Sequence, residues 1–176
     1  MRFLQTPEDK TVSMSPRIAA HLNKIGVNFD LVSHAHSRNS MQSARMAKLP
    51  PSQIAKAVIL HDGDRYRMCV IPANHRLILE RVNAHMHGNY RLATEREVAM
   101  LFDDCEIGAV PALGQVYGLP VSWEVEFNHA KDVYLESGDH EHLIHLQHGA
   151  FMELMNGQDH LYMSCPQDDR FGSIVH

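Results

Sequence analysis

The stretch "QIAKAVILHDGDRYRMCVIPA", residues 53–73, decides how the rest of the chain is read. Two runs rich in β-branched and apolar residues flank the turn "DGD", the clearest hairpin signal in the sequence. With a period of two, Lys56 shares one strand face with Val58 and Leu60, while Ala57 and Ile59 point the other way. An ammonium on a core-facing side is costly unless a partner, a lowered pKa or a wet cleft compensates. Lys56 therefore either opens the strand and snorkels its head to water, or is a site residue.

Before the hairpin, "SMSPRIAAHLNKIGVNF" carries a helix start, with Ser15 as N-cap and Pro16 at the first helical position. Ile18, Leu22 and Ile25 line one face, and Gly26 ends the helix. "NFDLVSH" alternates as a strand, and "SMQSARMAKL" reads as a short helix stopped before Pro50 and Pro51. After the hairpin, "NHRLILERVNAHM" has helical spacing with Asn74 as cap, and "TEREVAMLF" opens with the capping box Thr94, Glu97. "DDCEIGAVPALGQVYGLP" fits neither period and reads as a loop system. "VSWEVEF", "KDVYLE" and "HLIHLQ" read as strands and "GAFMELM" as a closing helix, while the residues after Met155 lack a period and are expected to pack loosely. Strands and helices interleave without strict βαβ order, which predicts a single α/β (α+β) domain, a mixed, largely antiparallel sheet surrounded by helices. The expected organisation is an N-terminal extension over residues 1–14, the domain over 15–156 and a tail over 157–176.

Composition narrows the function. The formal charge of −5 argues against a protein that coats nucleic acid non-specifically. No apolar run approaches the roughly 20 residues that span a bilayer, and "MRFLQTPEDKTVS" has no apolar core of a secretory signal. A cytoplasmic protein with no membrane role is expected. Three cysteines, Cys69, Cys105 and Cys165, show no paired spacing and read as free thiols.

Fourteen histidines are the most unusual feature of the composition. His34 and His36, His85 and His87, and His140, His142, His145 and His148 offer donors for a metal, yet there is no "HExxH" and no "CxxC". No metal and no cofactor are expected. "GxSxG", "GxGxxG" and "GxxxxGK[ST]" are absent as well. Met152 and Met155 lie at helical spacing and read as core filler. The loop "GAVPALG" remains: Gly108 opens backbone angles closed to other residues and Pro111 stiffens the bend. Such a loop either aims N–H groups at a carbonyl or is a tight apolar turn.

Taken together, "H-x-H" at His34 and His36, "SARMAKLPPSQIAKAVIL", "YRMCVIPANHRL", "RLATEREV", "DCEIGAVPALGQ" and "DVYLESGDHEHLIHL" resemble the YbaK/ProX family of aminoacyl-tRNA deacylases. That family is related to the editing insertion of bacterial prolyl-tRNA synthetases. The resemblance covers about residues 15–156 in the family's order of elements. It implies that Lys56 occupies the place of the lysine on which activity depends. It also implies that Gly108, Ala109, Val110 and Pro111 form the Gly-x-x-Pro loop that positions the aminoacyl ester, and that His140 in "GDH" lines the amino-acid pocket. Two departures bear on specificity: Ala57 follows the lysine where several members carry Asn or Thr, and Ala112 follows Pro111 where many carry a second proline.

The implied reaction is hydrolysis of the ester of a mischarged tRNA carrying a small amino acid. Water is the nucleophile, the loop N–H groups polarise the carbonyl, and Lys56 holds the terminal phosphate or ribose. Spacing adds Val32, His34, Ser43 and Met68 as pocket walls. The partner is the aminoacylated acceptor end of tRNA, met by Arg45, Lys48, Lys56, Arg65 and Arg67, with an aminoacyl-tRNA synthetase or elongation factor as a delivering partner. The alternatives are a non-catalytic aminoacyl- or nucleotide-binding module of the same fold, and a histidine-dependent metal hydrolase.

Overall fold

The helix-start signal at Ser15 and Pro16 is used as the sequence writes it. In the computed structural model, which describes residues 14–167, the Ser15 side chain accepts from the Ile18 N–H to open α1 (Pro16–Ile25), and Gly26 closes it at a φ of 78°. Ile18 and Leu22 are fully buried, each contributing about 1.5–3 kcal/mol. Strand β1 (Asp30–Ser33) follows, then α2 (Ser40–Ala47), which is capped by Asn39 and ended by Lys48 in the left-handed region. After a 3-10 turn over Pro51–Gln53, β2 (Ile54–His61) pairs antiparallel with β3 (Tyr66–Pro72). This is the hairpin expected from residues 53–73.

The next segment departs from its local pattern. Asn74 caps no helix, because His75–Leu77 forms β4, and α3 (Leu79–Met86) begins only after Ile78. The partner that draws β4 into an extended form is β10 (Ser164–Pro166), far along the chain and invisible to a local periodicity. β5 (Arg91–Leu92) adds to the β2 edge at Leu60 and His61, and α4 (Glu95–Leu101) opens on the expected capping box, both halves of which are formed. Arg91 forks onto Glu97, tying β5 to α4. A loop with one 3-10 turn, Gly114–Tyr117, leads to β6 (Val121–Glu124), shorter than "VSWEVEF" suggests because Val125–His129 coils instead. β7 (Asp132–Glu136), β8 (His142–Gln147) and α5 (His148–Leu154) follow.

Among the described residues after Met155, 156–167, two strands and a buried side chain replace the loose packing expected. β9 (Asp159–Leu161) lies parallel to β6, Met163 is fully buried, and the Ser164 hydroxyl donates to Glu124 Oε2 at 2.6 Å while facing His75 Nδ1 at 2.8 Å. Residues 1–13 and 168–176, which hold most of the expected N-terminal extension and the end of the tail, lie outside the described residues.

The main sheet runs β1-β8-β7-β2-β3-β6-β9, with β5 beside β2, and is mixed and mostly antiparallel. One face carries the largest core: Ala55, Ile59, Met68 and Val70 under Ile18 and Leu22 of α1, Phe151 and Leu154 of α5, and Val110, Ala112 and Leu113 of the loop. The other face is covered in two patches. Ile54, Tyr134 and Leu143 pack under Ala44 of α2, and Leu60, Cys69 and Ile71 under Val82 of α3 and Met163. Lys56 falls between these two patches, following Ile54 and preceding Val58 on that face. Among the described residues no helix is long and apolar enough to cross a membrane.

Candidate functional site

Strand β7 stops where β2 continues. The parallel pairing between them covers Ile54 beside Tyr134 and Ala55 beside Leu135. The next step in register sets Lys56 beside Glu136, the last residue of β7, on the face that α2 covers. Beyond that point β2 meets no strand on this edge until β5 joins at Leu60, and Lys56, Ala57 and Val58 are all partly exposed. The sheet therefore has a notch at the end of β7.

Lys56 lines this notch from one side. Its Nζ donates to the His75 carbonyl at 2.8 Å, and burial pushes its pKa down. An ammonium has three donors, so one bond to a neutral carbonyl leaves capacity for an anion. The turn that follows Glu136 leaves from this same end of β7. Asp139 builds that turn, accepting from Ser137 Oγ, from the Glu141 and His142 N–H groups and from the His142 ring. Burial opposes its ionisation, but these donors outweigh burial and hold its carboxyl below the usual range.

The turn places His140 in the left-handed region at a φ of 62°, with the ring buried. His140 Nε2 lies 2.5 Å from the Ile107 carbonyl and must donate to it, since a carbonyl only accepts. His140 Nδ1 is buried without a partner. Gly108, at a φ of 86°, sits so close to this turn that a Cβ there would meet the Arg38 carbonyl oxygen at 2.6 Å and His140 Cε1 at 3.2 Å. Glycine is required there by both angle and space.

A buried polar chain links the pieces. Ser37 Oγ and Ser43 Oγ are 2.7 Å apart, Ser43 Oγ donates to Glu136 Oε1 at 2.7 Å, and the Ser37 N–H donates to the His140 carbonyl at 3.1 Å. Glu136 is buried, and burial pushes its pKa up to about 7 despite the Ser43 and Ser40 hydroxyls, with Asp139 adding to the rise. An acid whose pKa is raised on folding contributes stability below its unfolded pKa and loses it as pH rises through the folded value. Glu136→Gln, which cannot ionise, is therefore expected to exceed the parent in stability by about 3 kcal/mol near pH 8, the difference closing near pH 4. Thermal or denaturant melts across that range check it; a difference that stays constant with pH would contradict the assignment.

The structure thus brings Gly108 to His140, connects Ser43 to His140 through Ser37, and sets His34 beside the same turn, its N–H donating to the Glu141 carbonyl at 2.9 Å. Three expectations need correction. Met68 does not share the face of Lys56: it pairs with Ile59, is fully buried and packs against Gly114, so it is core and no pocket wall. Ala109, Val110 and Pro111 are buried, Val110 in the core of the opposite sheet face, which leaves Gly108 as the exposed residue of the four. The Ala109 N–H is already given to the Glu106 carbonyl at 3.1 Å and is removed from the donors the loop offers an ester. Among the expected positive groups, Arg65 pairs with Asp62 and Arg67 donates to the Ser122 hydroxyl, whereas Arg45 and Lys48 are exposed on α2 and its cap.

Sequence reasoning missed Glu136 and Ser37. The alternation of "DVYLE" puts Glu136 on the face of Tyr134, which was the available signal. The histidines serve mainly as ring partners: His145 lies between Asp30 and Asp132, His142 meets Asp139, and His85 meets Asp159. Among the described residues no three His, Cys, Asp or Glu side chains gather closely enough to hold a metal ion. The cysteines are free, and burial pushes the Cys69 and Cys105 thiols up to about 12 and about 11, away from nucleophilic thiolates.

The family model described as aminoacyl-tRNA editing domain matches residues 34–154. No curated protein sequence matches the chain. Among solved structures, a hypothetical protein superposes with a TM-score of 0.76 at 20% identity, over 85% of this chain and 99% of that one. A candidate trans-editing enzyme for prolyl tRNA synthetase gives 0.74 at 20%, over 88% and 97%. A candidate signal transduction protein from Marinobacter aquaeolei VT8 gives 0.70 at 17%, over 90% of this chain but 32% of that one. These likenesses establish the fold.

Proposed function

Since the chain belongs to the aminoacyl-tRNA editing domain family, we propose that it is a trans-editing deacylase that hydrolyses the ester of a mischarged tRNA carrying a small amino acid. What supports this reading is the end of β7, where the partly buried Lys56 is next in register to Glu136 and the turn that follows brings His140 against Gly108. An ester linking an amino acid to a nucleotide has an anionic side and an acyl side, and this reading assigns the cation to the first and the rigid bend to the second. Lys56 holds the terminal phosphate or ribose, the Gly108 bend and His140 hold the acyl group, and water attacks the carbonyl carbon. The ribose oxygen leaves with a proton, giving the free amino acid and the tRNA hydroxyl.

Size selection fits such a task, because a synthetase discriminates a missing methylene by only about 1–3 kcal/mol and leaves errors to correct. Ala57 and Ala112, where family members carry a polar group or a second proline, belong to the large core on the opposite sheet face, and the departures bear on selectivity rather than chemistry. The trans-editing role described for one structural neighbour is the role carried over here. Arg45 and Lys48 meet the acceptor end, the formal charge of −5 keeps that contact weak, and a synthetase or elongation factor delivers the substrate in the cytoplasm. No cofactor takes part.

A panel of tRNAs mischarged with glycine, alanine, serine, cysteine and threonine tests this. One or two small aminoacyl esters are expected to lose their amino acid far faster with catalytic amounts of protein than without it. Longer ester lifetimes would instead identify a binding module that protects the bond.

A further inference from the structure

Glu136 stands at the junction of the two halves of the site and has no role in the reaction as described. It neighbours Lys56 across the parallel register, and four residues later the same turn delivers His140 to Gly108. One carboxyl oxygen accepts from Ser43, which fixes the group, and the Ser40 hydroxyl lies near; the other oxygen, Oε2, is buried and makes no hydrogen bond. No other carboxyl in this turn is in that state, since Asp139 is consumed by four donors and Glu141 is exposed. Lys56, although adjacent in register, turns away to the His75 carbonyl rather than pairing with Glu136. A cation and a carboxyl thus start side by side and diverge.

A buried carboxyl oxygen without a partner is costly unless a donor reaches it, and a cationic donor is the strongest available. Resting on the deacylase reading, we infer that Glu136 Oε2 receives the α-ammonium of the esterified amino acid, so that the site takes free-amino aminoacyl esters and rejects N-acylated ones. The substrate's two charges then match the site's: phosphate toward Lys56, ammonium toward Glu136. The groups that act on this carboxyl are Ser40 and Ser43 on α2 and Asp139 on the turn, with Lys56 next to it in register but bonded elsewhere. A raised pKa fits, because the lone carboxyl is readily neutral and an arriving ammonium restores its charge.

The test uses amide-linked, non-hydrolysable 3′-aminoacylamino-adenosines carrying glycine, alanine, serine or cysteine, each with its α-amine free or acetylated. The parent protein is expected to bind the best free-amine probe about tenfold or more tightly than its acetylated form. Glu136→Gln, which keeps the shape and can still accept from Ser43, should bring that ratio near one by weakening only the free-amine probe. Glu136→Asp, which keeps the charge, should restore part of it. A parent without discrimination, or a Gln variant that retains it, would overturn the inference. Hydrolysis of mischarged tRNA is scored separately. Cleavage with discrimination unchanged in the Gln variant sinks this inference and leaves the deacylase, whereas discrimination without any cleavage does the reverse.

Discussion

Lys56→Ala is expected to lower kcat/KM for the mischarged tRNA that the protein accepts by about a hundredfold or more, while the melting temperature moves by a few degrees at most. The ammonium is partly buried, its pKa is lowered by burial, and its one bond goes to a main-chain carbonyl. Such a cation gains little from the protein and much from an anion that enters beside it. A charge-assisted bond in a partly desolvated notch is worth about 2–3 kcal/mol, close to the stated loss in rate. Removing the ammonium deletes a group whose burial was unfavourable, so the fold should bear the change. Steady-state kinetics with a melt on the same sample decide it. A variant that deacylates as well as the parent would end the assignment of this lysine.

Gly108→Ala should damage both stability and turnover. At a φ of 86° an alanine is strained, and its Cβ would stand 2.6 Å from the Arg38 carbonyl oxygen, a backbone atom with no rotamer to escape into. We expect a loss of about 2–3 kcal/mol and at least about a tenfold fall in activity, because His140 is pressed by the same atom. Gly118 supplies the control. Its φ is 73°, but nothing lies within 4 Å of a Cβ built there, so Gly118→Ala should cost only about 1 kcal/mol and leave turnover alone. Equal effects at the two glycines would mean that backbone angle, and not the clasp on His140, explains the loss.

The parts of this molecule that could be read in advance are those whose cause is local. The Ser15 and Pro16 start of α1, the Thr94 and Glu97 capping box of α4, and the hairpin of β2 and β3 each depend on residues within a few positions of one another. Lys56 was legible for a related reason: a charge inside an apolar alternation needs an explanation wherever the chain folds. β4, β5, β9 and β10 were not legible, since each has two or three residues and owes its form to a distant partner. Met68 was misplaced because the hairpin register, which pairs it with Ile59, could not be counted from spacing alone. Glu136 looked like an ordinary strand-end acid. Only the folded chain, with Ser43 donating to one oxygen and the other buried without a hydrogen bond, marks it out.

The clasp between β4 and β10 sets a practical limit on dissecting this protein. The family match ends at residue 154, so a minimal fragment trimmed to it would keep Lys56, Gly108, Glu136 and His140. That fragment would lose Ser164, the strand that holds β4 in place, and with it the anchorage of the His75 carbonyl on which the lysine's amine rests. The chemistry would survive the scissors on paper, and its aim would not.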